Sequence, residues 1–138
     1  MVITTRQPSD MERLTISVTG TDRGMMFSEL GDELGRILPT TGDLASTEEF
    51  SLEAGTLPDL TAELLQVIQE GVQEGIVHTL WQCTYVKAMP GDRCKLYVLT
   101  HAEDIDALVE PTLIATKWYS TSFDETLEVV LRLPVTLG

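Results

Sequence analysis

The sequence predicts an α+β fold in which a single layer of mostly antiparallel sheet carries about three helices on one face. Strand-like segments with apolar side chains at every second position alternate with amphipathic segments of helical spacing. A Pro-Gly pair between two strand-like segments favours a hairpin. The 138 residues contain no internal repeat or linker. We therefore expect one domain over residues 1–138, in which residues 1–12 could form a flexible N-terminal segment.

Residues 14–38 form the stretch around which we expect the chain to be organised. Apolar and hydroxyl side chains alternate in its first part, which predicts a half-buried strand. A glycine-bounded loop, residues 20–24, follows, and Asp22 or Thr21 can cap the helix that begins after it. Apolar residues then recur at helical spacing until Pro39 ends the helix.

The later elements follow from the same patterns. We predict a strand over 48–53, a helix over 58–74, a hairpin of strands 81–87 and 93–100, a helix over 100–109 and strands over 112–120 and 126–133. A type II turn centred on Pro90 and Gly91 would pair Tyr85 with Leu96 and Cys83 with Val98. In that register Cys94 lies roughly 13 Å along the strand from the partner of Cys83. That separation is too long for a disulfide.

Both long helices are predicted to carry glycines four residues apart, Gly31 with Gly35 and Gly71 with Gly75. Each glycine costs a helix about 1 kcal/mol relative to alanine. The pairs therefore predict close approach of another backbone, either in the sheet or in a second copy of the chain. A homodimer is one arrangement that would satisfy them.

The composition limits the classes of partner. The formal net charge is −13, from 22 acidic residues against nine lysines and arginines. This charge argues against direct binding to nucleic acid or to an anionic membrane, because both need a basic footprint. No apolar run approaches the roughly 18 residues that span a bilayer. We identify no signal peptide and expect a cytoplasmic protein.

The acidic residues fall into stripes on the predicted helices. The three stripes are Glu29, Asp32 and Glu33; Glu63, Glu70 and Glu74; and Glu103, Asp106 and Glu110. If the helices cover one face of the sheet, their outer surfaces form a negative layer that could bind a cationic protein. The alternative is an ordinary solvated helix surface. We expect a non-enzymatic protein that binds a basic partner, as inhibitors, immunity proteins and adaptors do.

The loop over residues 20–24 supports a second hypothesis. Backbone N–H groups at the start of a helix, with Arg23 beside them, can hold a carboxylate or a phosphate. Alternatively, the two glycines only form the turn and Arg23 pairs with a nearby acid. The run Ser-Val-Thr-Gly-Thr-Asp-Arg-Gly before an amphipathic helix resembles the opening of ACT-type regulatory domains. The resemblance implies an amino-acid or anion site at Gly20, Asp22, Arg23 and Gly24.

No pattern indicates catalysis, a metal or a cofactor. His78 and His101 are the sole histidines, and neither belongs to a ligand-spaced cluster. The serines lack the glycines of a nucleophile elbow. Carboxylate pairs are abundant in so acidic a chain, so their presence carries no information about acid–base chemistry.

Overall fold

The computed structural model describes residues 1–38, 45–103 and 108–134, which form seven strands and two helices. The elements are β1 (Val2–Gln7), β2 (Asp10–Gly20), α1 (Arg23–Ile37), β3 (Ala45–Ala54), α2 (Leu57–Gln73), β4 (Ile76–Lys87), β5 (Asp92–Ala102), β6 (Thr112–Ser120) and β7 (Glu125–Arg132). The α+β class and the antiparallel pairing of the strands are confirmed. The proposed stop of the first helix at Pro39 lies outside the described residues.

The strands form two sheets, so the expectation of a single layer is wrong. One sheet has the order β1–β2–β7–β6 and the other the order β3–β5–β4. The division has a physical cause, because α1 lies along the outer edge of β4. Ser28 accepts a hydrogen bond from the N–H of Cys83 at 2.9 Å, and Asp32 accepts one from the N–H of Trp81 at 2.9 Å. Side chains of α1 thus occupy the positions that another strand would need.

The expectation of a third helix over 100–109 is also wrong for the residues that the structure describes. Thr100 and His101 belong to β5 and pair with β3 on one side and with β4 on the other. Residues 108–110 are not helical, and residues 104–107 lie outside the described part of the chain. The Thr-x-x-Glu signature of a capping box is local, and pairing with two strands overrides it.

The N-terminal residues, which could have been a flexible segment, are strands in the structure. β1 pairs with β2 from Val2 opposite Val18 to Gln7 opposite Asp10. The Thr4 hydroxyl donates a hydrogen bond to Glu33 of α1 at 2.8 Å. This contact joins the edge strand to the helix.

Both helices and both sheets contribute to one hydrophobic core. Leu14, Ile16 and Val18 of β2 are fully buried, in agreement with the alternating pattern. Phe27 of α1 meets Trp118 of β6 edge to face, with ring centroids 5.6 Å apart. The Trp118 indole N–H donates to Thr61 of α2 at 3.0 Å, so β6 contacts both helices.

Three of the four glycines lie at close contacts within the chain; Gly35 and Gly71 meet backbone atoms, as predicted, whereas Gly31 meets a side chain. A Cβ at Gly31 would lie 2.3 Å from the Trp81 ring, and one at Gly35 would lie 3.0 Å from the carbonyl oxygen of His78. Gly71 faces the His78 ring, whereas Gly75 follows the last turn of α2 with φ of 75°. The contacts of α1 and α2 with β4 therefore account for the glycines within this chain.

The hairpin of β4 and β5 forms, but its register differs by two residues from the predicted one. Lys87 pairs with Asp92, Tyr85 with Cys94 and Cys83 with Leu96. The N–H of Ala88 donates to the carbonyl oxygen of Gly91 at 3.0 Å, so the turn is centred on Met89 and Pro90, one residue before the predicted centre at Pro90 and Gly91. A shift of two residues leaves every side chain on its predicted face.

Candidate functional site

The acidic residues of α1 are engaged with other parts of the chain. Glu29 lies 3.5 Å from the N-terminal amine, and Glu33 pairs with Arg36 and accepts from Thr4. The hydrogen bond from Arg36 lowers the pKa of Glu33. Asp32 holds the edge of β4, and burial raises its pKa although the Trp81 N–H opposes that shift. The acidic residues of α1 therefore stabilise the fold through contacts within the chain.

Glu103 and Glu110 of the third predicted stripe do not lie on a helix, and Asp106 is outside the described residues. Glu110 is exposed and accepts a hydrogen bond from Gln73 at 2.8 Å. The N–H of Glu103 donates to the carbonyl oxygen of Gly75 at 2.7 Å. Both residues therefore lie near the C-terminal end of α2.

The acidic residues of α2 are placed differently. Glu63, Glu70 and Glu74 are exposed and make no ion pair with any cationic residue in the described ranges. The Glu70 carboxylate accepts a hydrogen bond at 3.0 Å from Gln66, which lies one turn earlier in α2. This side of α2, which we call the α2 acidic face, is therefore open to a partner.

A cavity of about 260 Å³ opens between the C-terminal half of α2 and the sheet β3–β5–β4. Its lining combines apolar side chains with carboxylates and one imidazole. The lining residues are Glu48, Phe50, Val67, Glu70, Gly71, Glu74, Ile76 and His78. We call this space the α2 cavity, and it is continuous with the α2 acidic face through Glu70 and Glu74.

His78 is the buried polar group of the α2 cavity, with 7% of its surface exposed. Its Nδ1 lies 3.2 Å from the Thr100 hydroxyl, and its ring meets those of Phe50 and Trp81 edge to face. Burial lowers the pKa of His78, and the carboxylates of Glu48 and Glu74 offset part of that shift. The imidazole is therefore neutral at pH 7, and its position is fixed by its neighbours.

Gly71 makes room for this histidine. A Cβ at Gly71 would lie 3.0 Å from Nε2 of His78 and 3.1 Å from the carbonyl oxygen of Ile76. Such contacts are tight for any side chain. The absence of a side chain at Gly71 lets the ring reach the cavity wall.

The loop over residues 20–24 has most of its polar groups occupied. The Asp22 carboxylate caps α1 by accepting from the N–H of Met25 at 3.2 Å. Arg23 donates from Nε to both oxygens of Glu125, at 3.0 and 3.2 Å, and from Nη1 to the Tyr85 hydroxyl at 2.9 Å. The hydrogen bond to Glu125 raises the pKa of Arg23. An anionic ligand at Arg23 would have to displace Glu125.

A smaller cavity of about 180 Å³ lies beside this loop and is lined by Gly20, Asp22, Met25 and Glu29, among others. Arg23 points to β7 and does not line it. Gly24 packs against β4, where its Cβ would lie 2.7 Å from the carbonyl oxygen of Cys83. The four loop residues therefore do not converge on one binding position.

The observed register brings the two cysteines together, so the long separation predicted for them is wrong. Cys94 lies two residues from Leu96, the partner of Cys83, so the two thiols are diagonal neighbours on one face of the sheet. The neighbouring Cys94 thiol and the Ser28 hydroxyl lower the pKa of Cys83, whereas burial opposes the shift. The same thiol contact, together with burial, raises the pKa of Cys94. Both thiols are free.

We expect iodoacetamide to modify Cys83 at least about tenfold faster than Cys94 in the folded protein, because the reagent attacks the thiolate. Cys83 is half-buried, whereas Cys94 is 1% exposed. Peptide mass spectrometry of a labelling time course measures both rates, and labelling in urea supplies the control in which they converge. Equal rates in the folded protein would contradict the assignment.

The described residues include no group of three or more His, Cys, Asp or Glu side chains placed to hold a metal ion. Neither helix in the same part of the chain is long and apolar enough to cross a membrane.

Sequence reasoning missed Glu48 and His78 as members of the candidate site. The alternation in β3 contained a usable signal, because Glu48 has the same parity as Phe50 and therefore lies on the same face of the strand. The approach of α2 to His78 depends on tertiary packing, for which Gly71 was the one local sign. A comparison of the chain with protein-family models and with curated protein sequences finds no match in either set.

Proposed function

We propose that this chain is a non-enzymatic acidic protein that binds a basic protein through the α2 acidic face, in the manner of an inhibitor, an immunity protein or an adaptor. The observation that carries the proposal is the contrast between the two helices. Glu63, Glu70 and Glu74 of α2 are exposed and lack an ion-pair partner within the described ranges, while the acids of α1 bind groups of their own chain.

The overall charge supports the same function. A formal net charge of −13 on 138 residues produces a negative field that accelerates the encounter with a cationic protein. Most of the cations in this chain are already paired with acids, for example Lys95 with Glu49 and Arg93 with Glu53. Binding of an external cation to α2 would therefore not require an internal ion pair to break.

The position of α2 also favours recognition over simple solubility. The α2 acidic face borders the α2 cavity, so charge and shape occur together. A specific interface needs a pocket or an anchor in addition to charge, because exposed charges alone give weak and salt-sensitive binding.

Selection from a random peptide display library tests the proposal, because the library samples basic and non-basic sequences alike. We expect the wild-type protein to enrich peptides rich in lysine and arginine. Binding of the selected peptides should weaken by at least about tenfold when Glu63, Glu70 and Glu74 are all replaced with lysine, because attraction becomes repulsion. Isothermal titration calorimetry at two salt concentrations measures the loss.

A matched variant separates a local surface from net charge. Replacing Glu12, Glu49 and Glu53 with lysine changes the charge by the same amount at solvent-accessible positions away from α2. This control should retain most of the binding. Equal losses in both variants, or selection of peptides with no basic character, would refute the proposed surface.

A further inference from the structure

We propose that the α2 cavity is a binding site for a single alkylammonium group, supplied by a lysine side chain of the basic partner. The choice of lysine as the source rests on the proposed function. The ammonium site itself rests on the cavity, its carboxylates and the ring nitrogen of His78.

The size of the α2 cavity suits one side chain. Its volume of about 260 Å³ is below the roughly 300–1,000 Å³ of pockets that enclose drug-sized ligands. Phe50, Val67 and Ile76 line it as partly buried apolar surfaces. Walls of this kind suit the aliphatic stem of lysine, which buries its methylene groups while the charged end keeps polar contacts.

The charge of the α2 cavity suits a cation. Glu48 enters it from β3, Glu70 from α2, and Glu74 from the residue that follows α2. None of the three forms an ion pair with a cationic residue in the parts of the chain that the structure describes. A bound ammonium ion would gain charge-assisted hydrogen bonds from carboxylates that no internal cation already engages. Its three N–H donors can be directed to separate acceptors.

His78 supports an ammonium site independently of the acidic residues. It is 7% exposed, its Nδ1 is occupied by Thr100, and no contact within the described residues engages Nε2. The side chain lines the α2 cavity beside Gly71. In the neutral ring with the proton on Nδ1, Nε2 is an acceptor. Nε2 therefore faces the cavity as a free acceptor, and an ammonium N–H would supply its donor.

Nuclear magnetic resonance of the histidine side chains tests the site directly. The chain has two histidines, so a His101→Gln variant assigns the signals of His78. Titration of the full chain with n-butylamine hydrochloride near neutral pH should shift the Nε2 resonance of His78 in a saturable manner. Butanol lacks the charge and tetramethylammonium lacks an N–H donor, so neither should produce the saturable shift.

Paired variants locate the charge that matters. The double substitution Glu48→Gln and Glu74→Gln should weaken n-butylamine binding by at least about tenfold, because it removes two charge-assisted contacts. The double substitution Glu49→Gln and Glu53→Gln removes the same charge from the opposite face of β3 and should leave the affinity unchanged. The tripeptide Gly-Lys-Gly should bind more tightly than n-butylamine if the ammonium group comes from a protein.

Several results would overturn the inference. They are a linear response to n-butylamine, an equal response to butanol, or equal losses in the two double variants. Equal affinity for Gly-Lys-Gly and n-butylamine would reject lysine as the source and assign the site to a free amine. Failure of n-butylamine with retained selection of basic peptides would reject the cavity site alone. Saturable binding of n-butylamine without selection of basic peptides would reject the proposed protein partner and would still support the ammonium site.

Discussion

Replacing Gly31 with alanine should lower the free energy of unfolding by about 2 kcal/mol in total, because overpacking a core costs up to about 3 kcal/mol in the usual range. The added Cβ would lie 2.3 Å from Cδ2 of Trp81, a distance that no side chain tolerates. Trp81 is 3% exposed, and its indole N–H donates to the carbonyl oxygen of His78 at 3.2 Å. The ring can therefore move only if β4 or α1 moves. The better helix propensity of alanine offsets about 1 kcal/mol of the cost.

Urea unfolding followed by circular dichroism measures this change, and two further variants interpret it. Gly55→Ala adds the same methyl group at a position where no atom lies within 4 Å of it, and should stay within about 0.5 kcal/mol of wild type. In a Trp81→Leu background, Gly31→Ala should cost far less, because the atoms that clash are gone. Equal costs of Gly31→Ala in both backgrounds would show that the close contact with Trp81 is not the cause.

The sequence was sufficient for those parts of the fold that depend on local periodicity. The alternation around Ile16 predicted a buried strand, and the helical spacing around Phe27 and Leu30 predicted the buried face of α1. The class of fold follows from such segments. Periodicity identifies which face of an element is buried, but it does not identify the element that covers that face.

The errors concern tertiary contacts that compete with local signals. Thr100 and His101 have the sequence of a helix start, yet their backbone pairs with β3 and β4 at once. The prediction of a single sheet was wrong because Ser28 and Asp32 close the edge of β4. The spacing of four residues between them is common in helices and does not reveal that they contact a strand edge. The predicted hairpin register is wrong by two residues because the turn is centred on Met89 and Pro90, one residue before the centre that the Pro-Gly pair implied.

In the candidate site, too, local sequence patterns predicted the elements but not their tertiary contacts. The acidic stripes of α1 and α2 are equivalent as sequence patterns, and the sequence could not separate them. Asp32 and Glu33 differ from Glu70 and Glu74 because Asp32 accepts a hydrogen bond from β4 and Glu33 accepts one from β1. The proposed partner-binding residues are therefore the acids that form no ion pair with other elements of the described chain.

Replacing both Ser28 and Asp32 with alanine should lower the free energy of unfolding by about 3 kcal/mol, which is roughly 1–2 kcal/mol for each lost acceptor. The two side chains lie four residues apart on α1 and accept the N–H groups of Cys83 and Trp81, which lie two residues apart on β4. Four helical residues rise about 6.0 Å and two strand residues span about 6.6 Å, so the two spacings nearly match and the helix can close this edge. Without both acceptors, β4 has an open edge on which other chains can pair. Light scattering during urea unfolding should therefore detect association together with the lost stability. Unchanged stability and a monomeric protein would contradict this role for α1.

The variant Asp32→Asn separates the hydrogen bond from the charge. Asparagine keeps an oxygen that can accept the Trp81 N–H, so this variant should retain the stability that Asp32→Ala loses.

Burial raises the pKa of Asp32 in the folded protein, and the charge of Glu29 adds to this shift. Between the ordinary pKa near 3.9 and the raised one, the folded state therefore binds more protons than the unfolded state. The contribution of Asp32 to stability must then fall as the pH rises through this window. Relative to wild type, Asp32→Asn should gain stability over the same window and keep that gain at neutral pH. A gain that appears only in acid would reverse the sign and show that the ionised carboxylate is the form the fold prefers.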